Sequence, residues 1–180
     1  QYDYFGDSVG ISSNRIVVGA PGANPGGMAE EGAVYIFDLS GNQLGIITAS
    51  DGASGDRFGD GVEIESDKII VAAPGDQVGG LNDVGSIYVY DLDGTNETKM
   101  SPTVGIGTTT DATTNSRMGY FDGLSVGNNI IVSGGAFASI PGSSQQEGGA
   151  WAFNLNLTNP PLPPPKNYGN FSWGRFSNLT

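Results

Sequence analysis

Ile16-Val17-Val18-Gly19-Ala20-Pro21-Gly22 returns 53 positions later as Ile69-Ile70-Val71-Ala72-Ala73-Pro74-Gly75. In the same register Phe5-Gly6-Asp7 becomes Phe58-Gly59-Asp60. Gly32-Ala33-Val34-Tyr35-Ile36-Phe37-Asp38-Leu39-Ser40-Gly41 likewise becomes Gly85-Ser86-Ile87-Tyr88-Val89-Tyr90-Asp91-Leu92-Asp93-Gly94. Three matches without insertion or deletion identify an internal repeat, so the architecture is an array of like units.

Each unit reads as strands. Arg15 to Ala20 is a β-branched run stopped by Pro21-Gly22, because proline has no backbone donor for a central ladder. Ala33 to Phe37 is apolar on both faces, which implies a sheet covered on both sides. Asp38-Leu39-Ser40-Gly41 and Asp91-Leu92-Asp93-Gly94 are tight turns, and Gln43 to Ile47 supplies a fourth strand. A degenerate third unit follows. Asp122 to Val126 matches Asp60 to Ile64, Asn129 to Gly135 matches Lys68 to Pro74, and Gly149 to Leu155 matches Ser86 to Leu92. The extra length of this unit falls in Thr98–Thr114, read as a long surface loop, and in a second loop between Pro141 and Gly148.

Four-stranded units of about 50 residues, covered on both faces, are best satisfied by radial stacking against their neighbours. The expected fold is all-β, a β-propeller-like array of four-stranded antiparallel blades, incomplete or completed by other chains. Residues 1–57 form the first blade and 58–119 the second with its Thr/Gly-rich loop. Residues 120–159 form the degenerate third blade. Residues 160–180 hold a proline-rich connector and the opening of a fourth, since Pro160-Pro161-Leu162-Pro163-Pro164-Pro165 favours polyproline II.

Composition limits the chemistry. The chain has 180 residues, with 30 Gly, 10 Pro, 7 Lys+Arg and 19 Asp+Glu, and a formal charge of −12. That balance argues against nucleic acid as a partner, because phosphate binding needs clustered Lys and Arg. No apolar run reaches membrane-spanning length, so no membrane insertion is expected. A chain opening on Gln1 reads as a processed product or a fragment. Cys and His are both absent, which excludes Ser-His-Asp and Cys-His nucleophilic sites and removes the usual zinc ligands. A carboxylate pair of the glycosidase type stays open by composition. However, Glu63 and Glu65 alternate with Val62 and Ile64 as solvent-facing strand residues do, and Asp51, Asp56 and Asp60 flank a turn.

The Phe5-Gly6 pair with Gly19-Ala20-Pro21, repeated as Phe58-Gly59 with Ala72-Ala73-Pro74, resembles the FG-GAP repeat of integrin-alpha-type β-propellers. In the third unit the corresponding residues are read as Tyr120-Phe121 and Ser133-Gly134-Gly135, with both signatures decayed. The resemblance implies propeller blades and, in many members, a calcium loop between the Phe-Gly and Gly-Ala-Pro strands. Here those intervals hold only Ile11-Ser12-Ser13-Asn14-Arg15, Ile64-Glu65-Ser66-Asp67-Lys68 and Val126-Gly127-Asn128-Asn129, which lack the oxygen ligands that Ca²⁺ needs. No cofactor is expected. Asp91, Asp93 and Glu97 are read as a solvated hairpin turn rather than a local cation site.

The functional expectation is a non-catalytic surface recognition or adhesion module that presents loops on a propeller scaffold. A structural component of a virion, fibre or other extracellular assembly is the alternative, and a carbohydrate-active enzyme comes third. Expected partners are a protein receptor, a glycan or neighbouring copies, and the expected location is extracellular or on a virion surface. Tyr35, Tyr88 and Trp151 are assigned to packing between sheets. The candidate recognition residues are Thr98, Thr103, Thr108 and Thr110 in one loop, with Phe137, Ile140, Ser143 and Gln145 in or near the other.

Overall fold

The computed structural model describes residues 2–102, 115–120, 123–138, 148–155 and 176–177. Among these residues the chain is all-β, without helices, and forms three separate sheets that do not close into a ring. The first sheet runs β1 (Val9–Ile11), β2 (Ile16–Ala20), β3 (Ala33–Phe37) and β4 (Gln43–Ile47) in order. The second runs β5 (Gly61–Glu65), β6 (Lys68–Ala73), β7 (Ser86–Asp91) and β8 (Thr98–Met100). Both are antiparallel meanders. In the third sheet β9 (Leu124–Gly127), β10 (Ile130–Gly135) and β11 (Gly149–Asn154) repeat that meander, and β12 (Phe176–Ser177) adds to β11 in parallel. The tail thus returns to the third sheet at Phe176–Ser177, and residues 160–175 lie outside the described residues.

The register reproduces the echo at atomic level. Val18 faces Tyr35 and Val71 faces Tyr88, so equivalent residues pair in both units. One aliphatic and aromatic core lies between the first two sheets, where Val17, Val34 and Ile36 meet Phe58, Ile69, Val71, Tyr88 and Tyr90. A second lies between the second and third, where Ile70, Ile87 and Val89 meet Met118, Leu124, Ile131, Trp151 and Phe153. Both faces of the second sheet are therefore buried, as its continuous apolar strands require. Tyr88 and Trp151 are buried in these cores, while Tyr35 is half-buried on a face with no preceding sheet.

Two assignments in the third unit change. The Phe-Gly position belongs to Met118-Gly119, not to Tyr120-Phe121. Gly119 N–H donates to Gly134 C=O (2.8 Å), as Gly6 does to Gly19 and Gly59 to Ala72. Tyr4, Arg57 and Arg117, each one residue before this pair, share a left-handed backbone (φ 54°, 57° and 50°). Gly59 precedes Val62 by three positions whereas Gly119 precedes Leu124 by five, and this insertion hides the motif. The β10 alignment is also one residue out. Ser133, not Val132, pairs with the tyrosine-equivalent Trp151. A one-residue shift exchanges the two faces of a strand, so Ile131 enters the core while Val132 is exposed.

The sheets are joined by backbone as well as by side chains. Gly55, Arg57 and Phe58 donate N–H bonds to the carbonyls of Ala29, Glu30 and Glu31 (2.9–3.1 Å). Asn115, Arg117 and Met118 repeat this toward Asn82, Asp83 and Val84 (2.9–3.0 Å). This contact needs glycine at its centre. A Cβ on Gly32 would lie 2.2 Å from Phe58 O, and one on Gly85 would lie 2.5 Å from Met118 N.

Candidate functional site

Of the predicted recognition residues, Thr98 and Phe137 fall among the described residues, while Thr103, Thr108, Thr110, Ile140, Ser143 and Gln145 lie outside them. Thr98 does not open a loop. It begins β8 and pairs with Val89, so the segment read as Thr98–Thr114 starts with three strand residues. The sequence disguised this strand because Thr98-Lys99-Met100 carries only one strongly apolar side chain.

Phe137 belongs to a cluster that links the second and third sheets. Its ring lies 6.0 Å from that of Tyr120, and the Arg117 guanidinium sits 5.6 Å from the Phe137 centroid and 5.4 Å from that of Tyr120. Arg57 approaches the same Tyr120 ring at 5.8 Å. Guanidinium–aromatic contacts of this length are attractive through the ring quadrupole. Each arginine is also paired with a carboxylate, Arg57 with Asp60 (2.7 Å) and Arg117 with Asp83 (3.1 Å). Burial works against the Arg57 charge, but Asp60 outweighs it and keeps the guanidinium's pKa raised. The left-handed backbone of Arg57 and Arg117 places both side chains here, and the N–H bonds to Glu30 and Asp83 hold that conformation. The cluster offers half-buried donors, acceptors and aromatic surface on a backbone anchored at each sheet junction. These groups suit contact through charge, hydrogen bonds and aromatic surface.

A second polar group spans the junction of the first two sheets. Lys99 Nζ bridges Asp51 (2.7 Å) and Asp76 (2.8 Å), and Tyr88 Oη donates to Asp51 (2.9 Å). Ser86 donates to Asp76 and contacts Ser101 (2.6 Å). Asp56 is buried beside them and accepts the Ala53 N–H (2.7 Å). Burial is the main reason the Asp56 carboxyl is pushed up to about 6, with Asp76 and Asp51 adding repulsion against the Ala53 bond and Lys99. Burial would raise Asp51 too, but Lys99 and Tyr88 hold it below the usual carboxylate range. Asp51 and Asp56 thus do more than shape a turn, and Asp60 is buried against Arg57. Sequence spacing could not reveal the seam, because Lys99 comes from 48 residues beyond Asp51.

The remaining carboxylates diverge. Asp91 accepts from Lys68 and Asn96, Asp93 from Thr95, and Glu97 from Tyr90 of its own unit and from Ser50 across the sheet junction. These three therefore point to separate partners. The intervals where the resemblance places a calcium loop in many members, and where the sequence lacks its ligands, are tight strand connections. Glu65 pairs with Lys68 across Ser66-Asp67, and Gly127 pairs with Ile130 across Asn128-Asn129. Among the described residues no group of three or more acidic side chains could hold a metal ion. Nor is any helix there long and apolar enough to cross a membrane.

A family model described as FG-GAP repeat matches residues 1–37 and 42–90. No curated protein matches the chain.

Proposed function

The first two units of this chain are FG-GAP repeats, and from that premise we propose that the protein is a non-catalytic surface recognition or adhesion module. FG-GAP repeats occur in integrin-type β-propeller modules of adhesion proteins, and the family is generally non-enzymatic. The observation that carries the proposal is the Arg57–Tyr120–Arg117–Phe137 cluster, a contact surface fixed to two sheet junctions. Arginine and aromatic side chains are enriched at binding hot spots because they bring large area and directed hydrogen bonds together. The partner is a protein receptor or a glycan met outside the cell or at a virion surface. Binding to protein and glycan arrays tests this: a selective ligand whose signal falls at least about tenfold for Arg117→Ala and Phe137→Ala supports it. Selective binding indifferent to both changes would remove the cluster from the role, and no selective binding would reject the recognition reading.

One observation favours a second reading, a structural part of an assembly. In the second sheet Phe58 and Val62 are 0% and 5% exposed, whereas their first-sheet equivalents Phe5 and Val9 are 56% and 67% exposed. Ile11 is also exposed, so the leading face of the first sheet is an apolar surface of the kind that neighbouring subunits or blades cover. Native mass measurement separates the readings. A discrete oligomer that dissociates on Val9→Asp supports assembly, and a monomer at micromolar concentration counts against it.

A further inference from the structure

The innermost strands of the three sheets converge on a cavity of about 350 Å³. Asp7 and Ser8 enter it from the approach to β1, Val62 and Glu63 from β5, and Leu124 from the start of β9, with Val9 completing an apolar wall. Ser8 is already satisfied, since its hydroxyl donates to Gly59 C=O (2.8 Å). The two carboxylates are not. Among the described residues neither side-chain carboxylate, of Asp7 or of Glu63, has a hydrogen bond or ion pair. Four of the described cations are committed elsewhere, Arg57 to Asp60, Lys68 to Asp91, Lys99 to Asp51 and Asp76, and Arg117 to Asp83, and Arg15 donates to the Asn14 carbonyl (2.8 Å). Glu63 is half-buried, and that burial raises its carboxyl pKa.

Glu63, half withdrawn from water without a counter-charge, carries a desolvation cost that an incoming cation offsets, and the exposed Asp7 adds a second negative charge beside it. The cavity therefore favours a ligand with a positive end for Asp7 and Glu63 and a hydrocarbon stem for Val9, Val62 and Leu124. A long basic side chain has that form, because its methylenes pack on apolar surface while its head seeks charge. The net charge of −12 draws such a partner in from solution.

We propose that this cavity receives a lysine or arginine side chain of a protein partner, with Glu63 and Asp7 as its counter-ions. The inference rests on the recognition reading and gives it a partner chemistry: a basic protein surface.

The test titrates the whole chain with Nα-acetyl-lysine methylamide and with its uncharged norleucine counterpart, following backbone amide shifts by NMR. The lysine probe is expected to shift the amides of Ser8, Val9, Val62 and Leu124, and norleucine to leave them in place. Glu63→Gln is expected to weaken the lysine response at least about tenfold, with amides remote from the cavity unmoved, and added salt to weaken it further. Equal responses to the two probes, or no response to either, overturn the proposal. A protein found on the arrays whose binding ignores Glu63→Gln also overturns it while leaving the recognition reading intact. A lysine response without any array partner supports the cavity and rejects that reading.

Discussion

Gly32 and Gly41 both have left-handed backbones (φ 90° and 85°), yet their surroundings differ. A Cβ on Gly41 meets nothing within 4 Å, while one on Gly32 lies 2.2 and 2.4 Å from backbone atoms of Phe58. Gly41→Ala should cost about 1 kcal/mol, the conformational penalty alone. Gly32→Ala should cost about 3 kcal/mol or more, because backbone must move as well. Urea unfolding of both variants checks the difference. Asp56 provides a second residue-scale prediction. Its folded pKa of about 6 lies above the ordinary 3.8, so between those values the folded chain holds the extra proton. Its contribution should therefore increase stability by about 1–3 kcal/mol as pH falls from 7 to 4. Asp56→Asn should remove that gain and raise stability at pH 7, as thermal unfolding across this range would show. Below it, protonating Asp51 loses the stabilising bonds from Lys99 and Tyr88. Sequence marked Gly32 by its repeat at Gly85, but could not place Asp56 beside Asp76, because neither turn signals burial.

At the scale of the element, β8 is the least legible strand and among the most consequential. Its middle residue, Lys99, is the cation shared by Asp51 from the first unit and Asp76 from the second. Burial lowers its pKa, but the two carboxylates outweigh this and hold it raised, so the ammonium stays charged. Lys99→Met should destabilise the chain by about 2–3 kcal/mol at pH 7, less than a fully buried pair because Asp51 is partly solvated. The loss should shrink in the Asp76→Asn background, where one orphaned charge is absent; a double-mutant cycle measures that coupling. The long apolar strands β6 and β7 were readable because their residue types favour a pleated, covered surface. The shift in β10 was not. Ile130-Ile131-Val132 is apolar throughout, and without alternation nothing local distinguishes its two faces.

For the whole molecule, what matters is which sheet faces have neighbours. Phe58→Ala opens a cavity between two sheets and should cost about 3–5 kcal/mol. Phe5→Ala alters an exposed ring and should cost less than about 1 kcal/mol in the isolated chain, despite the same motif position. If an assembly covers the first sheet, the Phe5 cost should approach that of Phe58 under assembling conditions, a comparison open to hydrogen exchange. The repeat, its all-β blades and most strand limits can be read along the chain, because side-chain periodicity and turn residues are local and were copied in register. That Met118-Gly119 opens the third unit and that Lys99 joins two carboxylates across a seam emerges only in three dimensions. So does the cavity lined by Asp7 and Glu63, whose carboxylates have no partner among the described residues. These depend on residues brought together from different blades, and spacing along one chain does not encode such distances.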